Sequence, residues 1–328
     1  MSVSFTWIKK SNKARKKITN AVISAQWSGS VEQACRTLEI TIPNAPNDKY
    51  VKALKLNIAC GDYIIAYQSG DMFFYGSVTT IEKKGATDTS LTITCKDMID
   101  HLLRSQATYK FKGKTAEYIV RKMCNTFKIK PGNIVRTKTK LKKMICEDRS
   151  VYEIIMRAYT KASKHPGKKY IMRMNGLKLN IAEKGTTVKN FYFSEDVNIT
   201  SSTYTETIDE MINRVVIYSD KGKKIGTVQS NLNVKKYGIY QGTYTKEKGV
   251  NAKKAAKALL EGKTKAISIE VIDPTMQCIA GNAVKIYDKA TGLSGKFWID
   301  NDSHTFENNT HTAQLDLTYK NLWDKQTE

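Results

Sequence analysis

The chain has 328 residues, enough for two or three domains, with 41% hydrophobic and 26% charged residues and only 5 Pro, which excludes a largely disordered or linker-like protein. No apolar run approaches the roughly 20 residues that span a bilayer, and the opening MSVSFTWIKKSNKARKK lacks a signal-peptide core, so cytoplasmic synthesis without membrane insertion is expected. Lys plus Arg number 54 against 31 Asp plus Glu, and this net charge of +23 attracts nucleic acid, anionic headgroups or acidic proteins, or serves solubility alone.

In chain order, residues 3–8, 22–27 and 35–42 read as strands, the last with Leu38, Ile40 and Ile42 alternating before Pro43. Residues 61–95 add three more strands. Met98, Ile99, Leu102 and Leu103 behind Asp97 fit a short capped helix whose apolar stripe would plug one mouth of a barrel. From Gly113 the period becomes helical. Ile119, Val120, Met123 and Phe127 form one stripe behind Thr115, and Ser150 with Glu153 makes a capping box ahead of Val151, Ile154, Ile155, Ala158 and Tyr159. Asn175-Gly176 between two β-rich runs predicts a two-residue hairpin turn with positive φ at both central positions. NRVVIYS at 213–219 opens a second β region, and ISIEVI at 267–272 adds a strand to it. Between them lies a helical insertion near 251–261, with Asn251 as its cap.

The segment from Gly61 has a counterpart from Gly281. Each places a Tyr (Tyr67, Tyr287) at the same distance from its Gly, turns at Gly70 or Gly292, and continues with an aromatic pair, Phe73-Phe74 or Phe297-Trp298. Leu91 and Ile93 then match Leu315 and Leu317, with equal separations from Phe73 and Phe297. Duplication predicts an α+β, mainly β chain: two related small antiparallel barrels, at 1–106 and 197–328, flanking an α+β middle domain at 107–196.

Chemistry is sparse. The four histidines, His101, His165, His304 and His311, sit in no catalytic motif, and no enzyme activity or cofactor is expected. Cys35, Cys60, Cys95, Cys124, Cys146 and Cys278 are scattered without metal-ligand spacing and read as buried thiols. Asp300, Asp302 and His304 would share one strand face, with His311 opposite, a donor set able to hold a divalent cation but more simply a solvated face; no metal is assigned. Arg136, Lys138, Lys140 and Lys142 alternate along a stripe that suits phosphate contacts or a charged edge strand, with no aromatic interleaved in sequence.

GDYIIAYQSGDMFFYGSVTTIEK with LTITCKDMIDHLL, then SVYEIIMRAYTKAS, YIMRMNGLKLNI, TYTETIDEMINRVVIYSDKG, the KYG of 236–238 and the repeat from Gly281 together resemble the baseplate hub proteins of contractile phage tails and phage-like particles. The PBSX-type hub is the nearer pattern and the late control D family the more distant one. The order of these segments over residues 1 to about 322 carries the resemblance. It implies barrels of tail-tube type and a homotrimer adapting a sixfold tube to a threefold spike. It also implies tube, spike, tape-measure and other baseplate proteins as partners, and a place in the tail of a virion or phage-like particle made in the host cytoplasm. Some relatives extend into a peptidoglycan hydrolase; this chain stops at Glu328, soon after the second barrel, so that activity is not expected. The alternative is a nucleic-acid-binding protein with paired OB-like barrels.

Overall fold

The computed structural model describes residues 3–44, 49, 56–85, 89–163 and 168–321; residues 86–88, in the expected polar turn, and His165 lie outside them. The chain is mostly β, 51% strand and 16% helix. Residues 203–267 form one compact unit and the rest of the chain another. Among the described residues no helix is long and apolar enough to cross a membrane.

Seven strands come first: β1 (Val3–Ile8), β2 (Arg15–Lys17), β3 (Ser24–Ser30), β4 (Thr37–Pro43), β5 (Tyr63–Gln68), β6 (Asp71–Lys83) and β7 (Ser90–Asp97). They lie in the order β2-β1-β5-β6-β7-β4-β3, each antiparallel to its neighbours. Alternation selects the inner face: Leu38, Ile40 and Ile42 of β4 are buried opposite Cys95, Ile93 and Leu91 of β7. Phe5, Trp7, Ile64, Ala66 and Phe74 extend that core.

The chain continues through α1 (Ile99–Arg104), β8 (Gln106–Phe111), β9 (Lys114–Thr115), α2 (Ala116–Thr126), β10 (Lys130–Ile134), β11 (Lys140–Leu141), β12 (Met144–Ser150), α3 (Val151–Ala162), β13 (Tyr170–Asn175) and β14 (Lys178–Glu183). Thr115 caps α2 by accepting from Tyr118 N, and Ser150 with Glu153 closes the expected capping box on α3. The stripes of both helices share one buried cluster with Leu179 and Ile181. Ile99 and Leu102 of α1, expected over a barrel mouth, join this cluster instead, because Asp97 holds Ile99 N at 2.9 Å and starts α1 on a course against α3. The hairpin turn also sits one residue later than expected. Asn175 pairs with Lys178, and of the two central residues Gly176 (φ +52°) alone has a positive φ.

The last stretch contains β15 (Phe193–Ser194), β16 (Ile199–Thr207), β17 (Arg214–Tyr218), β18 (Lys224–Gln229), α4 (Asn231–Tyr237), β19 (Gln241–Thr245), α5 (Ala252–Ala258), β20 (Thr264–Ile272), β21 (Ala283–Asp288), β22 (Leu293–Glu307) and β23 (Thr310–Thr318). In the 203–267 unit, β17 is the centre of a three-stranded sheet, and Ala256 of α5 packs on Val215 and Ile217. The NRVVIYS strand, expected in the second barrel, thus belongs to a sheet of its own. The other late strands join the first seven, because β22 pairs with β3, and the result is a single 13-stranded sheet. Separate sheets for the two halves are therefore corrected to one shared sheet, whose strand path is open among the described residues.

The two Gly-headed segments nonetheless share connectivity and hydrogen bonds. β5, β6 and β7 run antiparallel in succession, as do β21, β22 and β23. Gly61 N donates to Val78 O, Val78 N to Asp62 O and Asp62 N to Ala59 O; Gly281 N donates to Ile299 O, Ile299 N to Asn282 O and Asn282 N to Ile279 O. A bulge follows in each long strand, between Val78 and Thr80 and between Ile299 and Asn301. In this frame Ile93 corresponds to Leu315, and Phe297 to Gly76 rather than to Phe73. Equal spacing misaligned the copies because their loops differ: Gln68 pairs with Asp71 across a tight turn, whereas Asp288 pairs with Leu293 across a longer one.

Both lead glycines are left-handed, Gly61 at φ +88° and Gly281 at φ +85°. A Cβ at Gly61 meets nothing nearer than 3.8 Å, but one at Gly281 would lie 2.6 Å from Ile171 Cδ1. Gly61→Ala should therefore cost about 1–2 kcal/mol of backbone strain, measured by denaturant unfolding. Gly281→Ala should cost clearly more, and equal losses would show that crowding at Gly281 is relieved freely.

Candidate functional site

β22 has neighbours on both edges. Its first part pairs with β21, its later part with β23, and Asn301–Glu307 pairs in register with Ser24–Ser30 of β3. Leu293, Phe297 and Ile299 are buried before the bulge, and Asp302, His304 and Phe306 after it. The bulge thus shifts the buried parity from odd to even positions and brings a carboxylate and an imidazole inside the seam.

Asp302 is 3% exposed and receives both terminal nitrogens of Arg36, Nη1 to Oδ1 at 2.9 Å and Nη2 to Oδ2. Oδ1 also accepts from Ala280 N at 2.6 Å. The guanidinium of Arg36 lies 3.8 Å from the ring centroid of Trp27 on β3. From β13, Arg173 donates to Ala280 O at 3.1 Å and to Asn282 Oδ1 at 2.9 Å, so the turn before β21 is held from two sides. Burial and then the charge of Arg36 lower the pKa of Arg173 to about 10, which leaves it charged at neutral pH.

His304 Nε2 lies 3.0 Å from Cys278 O and Nδ1 lies 2.9 Å from His311 Nε2. A carbonyl only accepts, so His304 carries its proton on Nε2, and His311 must then donate from Nε2 to His304 Nδ1. His311 Nδ1 is a buried acceptor with no hydrogen-bond partner among the described residues. Burial lowers the pKa of His304 to about 4; burial, then the neighbouring His304, lowers that of His311 to about 3. Both are neutral at physiological pH. His311 stacks on Phe306 at 4.5 Å, and Phe73 packs edge-on against Trp27 at 5.0 Å.

Of the four residues raised as metal donors, Asp302, His304 and His311 take part in these contacts and Asp300 does not. The Asp302 oxygens are taken by Arg36 and Ala280 N, and no cluster of three metal-ligating side chains occurs among the described residues.

The remaining sequence candidates are spread over the fold. Gly70 and Gly292 make left-handed turns at φ +94° and +70°. Phe74, Leu91, Ile93, Phe297, Leu315 and Leu317 are core, Tyr67 and Trp298 are half-buried, and Tyr287 is exposed against Tyr192. Arg136, Lys138, Lys140 and Lys142 are all exposed but do not form one strand. Lys138 is left-handed (φ +56°), Thr137 bonds Glu117, and only Lys140 and Leu141 pair, with β9. That pairing sets Leu141 opposite Lys114, whose ammonium lies 4.6 Å from the Tyr118 ring centroid, so the fold supplies an aromatic that the local sequence does not.

The profile of the YQBQ-like family matches residues 25–318. The chain belongs to the YQBQ-like family. It is similar to the phage-like element PBSX protein XkdQ of Bacillus subtilis (strain 168), 25% identical over 309 residues that cover 91% of this chain and 92% of that protein. The 43 kDa tail protein of prophage MuSo2 from Shewanella oneidensis shares the fold with a TM-score of 0.69 at 15% identity, over 96% of each chain. The tail protein from Neisseria meningitidis MC58 has a TM-score of 0.63 at 11% identity, over 99% of each chain. This YQBQ-like chain therefore has the fold of phage tail proteins, and the β3–β22 seam lies within the matched region.

Removing either partner of a buried ion pair strands the other, at a typical cost of about 3–5 kcal/mol. Arg36→Met and Asp302→Leu should each destabilise the YQBQ-like chain by about that much, while the double variant recovers most of the loss. Additive losses in denaturant unfolding would show that Arg36 and Asp302 act independently.

The histidines set a pH dependence. Their folded pKa values lie below the unfolded value of about 6.5, so the unfolded chain takes up protons first, and stability present above pH 6.5 falls as the pH drops toward 4. Burial raises Asp97 and Asp300 to about 6, which acts in the opposite direction over the same interval. The informative quantity is thus a difference. Between pH 6.5 and 4.5, His304→Asn/His311→Asn should lower the loss of unfolding free energy by roughly 2 kcal/mol per pH unit, about 1 for each imidazole. Parallel curves would mean that the pair is protonated in the fold.

Proposed function

We propose that this chain is a structural baseplate protein of a phage tail or phage-like particle and works as its hub, with no bond made or broken. The observation that carries the reading is the family match across residues 25–318, joined to a tail-protein fold over nearly the full length of both chains. The neighbours that support it are tail proteins rather than enzymes.

In this reading three copies form a ring. The β regions at 1–106 and 197–328 are duplicated tail-tube-like domains that complete their closure in the assembled ring, and 107–196 is the middle domain. The matching Gly61 and Gly281 hydrogen-bond patterns support the duplication. Two similar β surfaces from each of three chains offer six similar contacts to a sixfold tube while a threefold spike docks below. Gly61, Tyr67, Gly70, Phe73, Phe74, Leu91 and Ile93, and their counterparts from Gly281 to Leu317, are the scaffold of those surfaces. The partners are further copies, the tube, spike and tape-measure proteins and other baseplate components. The chain is made in the host cytoplasm and resides in the tail.

The net charge of +23 has a place in this scheme. A positive channel wall would retain exiting DNA, so the basic excess, including Arg136, Lys138, Lys140 and Lys142, faces outward toward acidic neighbours and speeds encounter more than it tightens binding.

Purified chain mixed with tube and spike proteins from the same genome should give a trimer-containing complex by light scattering. Duplex and single-stranded DNA should bind only weakly, with steep salt dependence. Sub-micromolar DNA binding at near-physiological salt with no tail partner would overturn the hub in favour of a nucleic-acid-binding protein.

A further inference from the structure

The 203–267 unit is poor in core and rich in exposed apolar side chains. Its buried apolar cluster is Val215, Ile217 and Ala256. Of the fifteen large apolar side chains exposed on the described residues, six fall in this unit: Ile225, Leu232, Ile239, Tyr240, Val250 and Leu259. That concentration exceeds the scattered single residues expected on any surface.

The densest part is α4 and the chain that follows it. α4 is seven residues long and buries none of them. Ser230 caps it, accepting from Asn233 N, and Gly238 ends it at φ +80°. Both ends are specified, yet a helix shorter than about 12 residues gains little from propensity alone, so one with no buried face is defined without being anchored. Leu232 is 78% exposed, and Ile239, seven residues on, is 54% exposed. Lys235 and Lys236 fall between them, and Tyr240 follows.

The chain that forms this face is basic, although Lys263 beside Tyr237 is paired with Glu206. From Lys221 to Lys246 the chain contains Lys221, Lys223, Lys224, Lys235, Lys236 and Lys246, and no Asp or Glu. A second copy applying the same face would set lysine against lysine. A phosphate backbone would pair with the ammoniums but leave Leu232 and Ile239 in water, and the stretch lacks the arginine forks that grip phosphate.

We propose that the α4–β19 face, centred on Leu232, Lys235, Lys236, Ile239 and Tyr240, is a docking surface for a different protein with an apolar centre and a carboxylate rim. Leu232 and Ile239 enter the apolar centre, and the lysines meet the rim, where they set orientation. The inference rests on the baseplate reading only for where that protein is met.

The test is zero-length carbodiimide crosslinking of cells that express the native gene cluster, followed by affinity recovery of the full chain and mapping of crosslinked peptides. Amide links should join Lys235 or Lys236 to Asp or Glu of another polypeptide. Leu232→Gln/Ile239→Gln should lower their yield about tenfold or more, while the melting temperature of the isolated chain stays unchanged. Absence of such links, links only to further copies of this chain, or a yield unaffected by the double variant would overturn the proposal. So would sub-micromolar duplex DNA binding lost in Lys235→Glu/Lys236→Glu without protein crosslinks. Sedimentation of the same sample reads the baseplate assignment separately. Crosslinks on a chain missing from particles would remove that assignment and keep the docking surface, and the reverse result would do the opposite.

Discussion

β22 holds this protein together because both of its edges are occupied. β23 lines one edge, and the other is taken first by β21 and then by β3, from the first thirty residues. A sheet edge left open is a row of unpaired donors and acceptors, so each half completes the other. The Arg36–Asp302 pair fixes the register of that join. It places two charges in a nearly dry site where only close geometry repays their desolvation, and stacking on Trp27 with the Ala280 N–H supplies the remaining contacts. Such a pair contributes little net stability over apolar packing and much more to choosing one alignment among neighbours.

Other features follow from this choice. The histidines stay neutral because burial penalises a charged imidazole, and for His304 this outweighs the favourable charge of Asp302. The turn before β21, held by Asp302 on one side and Arg173 on the other, ties the middle segment to the C-terminal strands. Arg36 and Asp302 are 266 residues apart, so the seam is a non-local contact that closes a very long loop.

The 203–267 unit is built differently. Its sheet is short, its core is small, and its helix α4 contributes no buried side chain. For its length this unit offers more large apolar side chains to solvent than the rest of the chain does.

Local patterns in the sequence determined the local structure. The alternation of Leu38, Ile40 and Ile42, the stripes of α2 and α3, the Ser150–Glu153 box and the Asn251 cap all act over a few residues through side-chain period and backbone hydrogen bonding, and all are present in the fold. The ordered segments carrying the family resemblance were legible for the same reason. Only the tertiary structure decided the identity of strand neighbours and the chemistry of the seam. No pattern near Ser24–Ser30 names β22 as its partner, because pairing across such a distance depends on which edge remains open once the hairpins have formed. Asp302 and His304 were visible as polar residues alternating on a strand, but the bulge after Ile299 turned them inward and Arg36 arrived from the far end of the chain. A carboxylate that reads as solvated or metal-binding in isolation is therefore one half of an ion pair, and that difference lies in the neighbour, which local sequence does not encode.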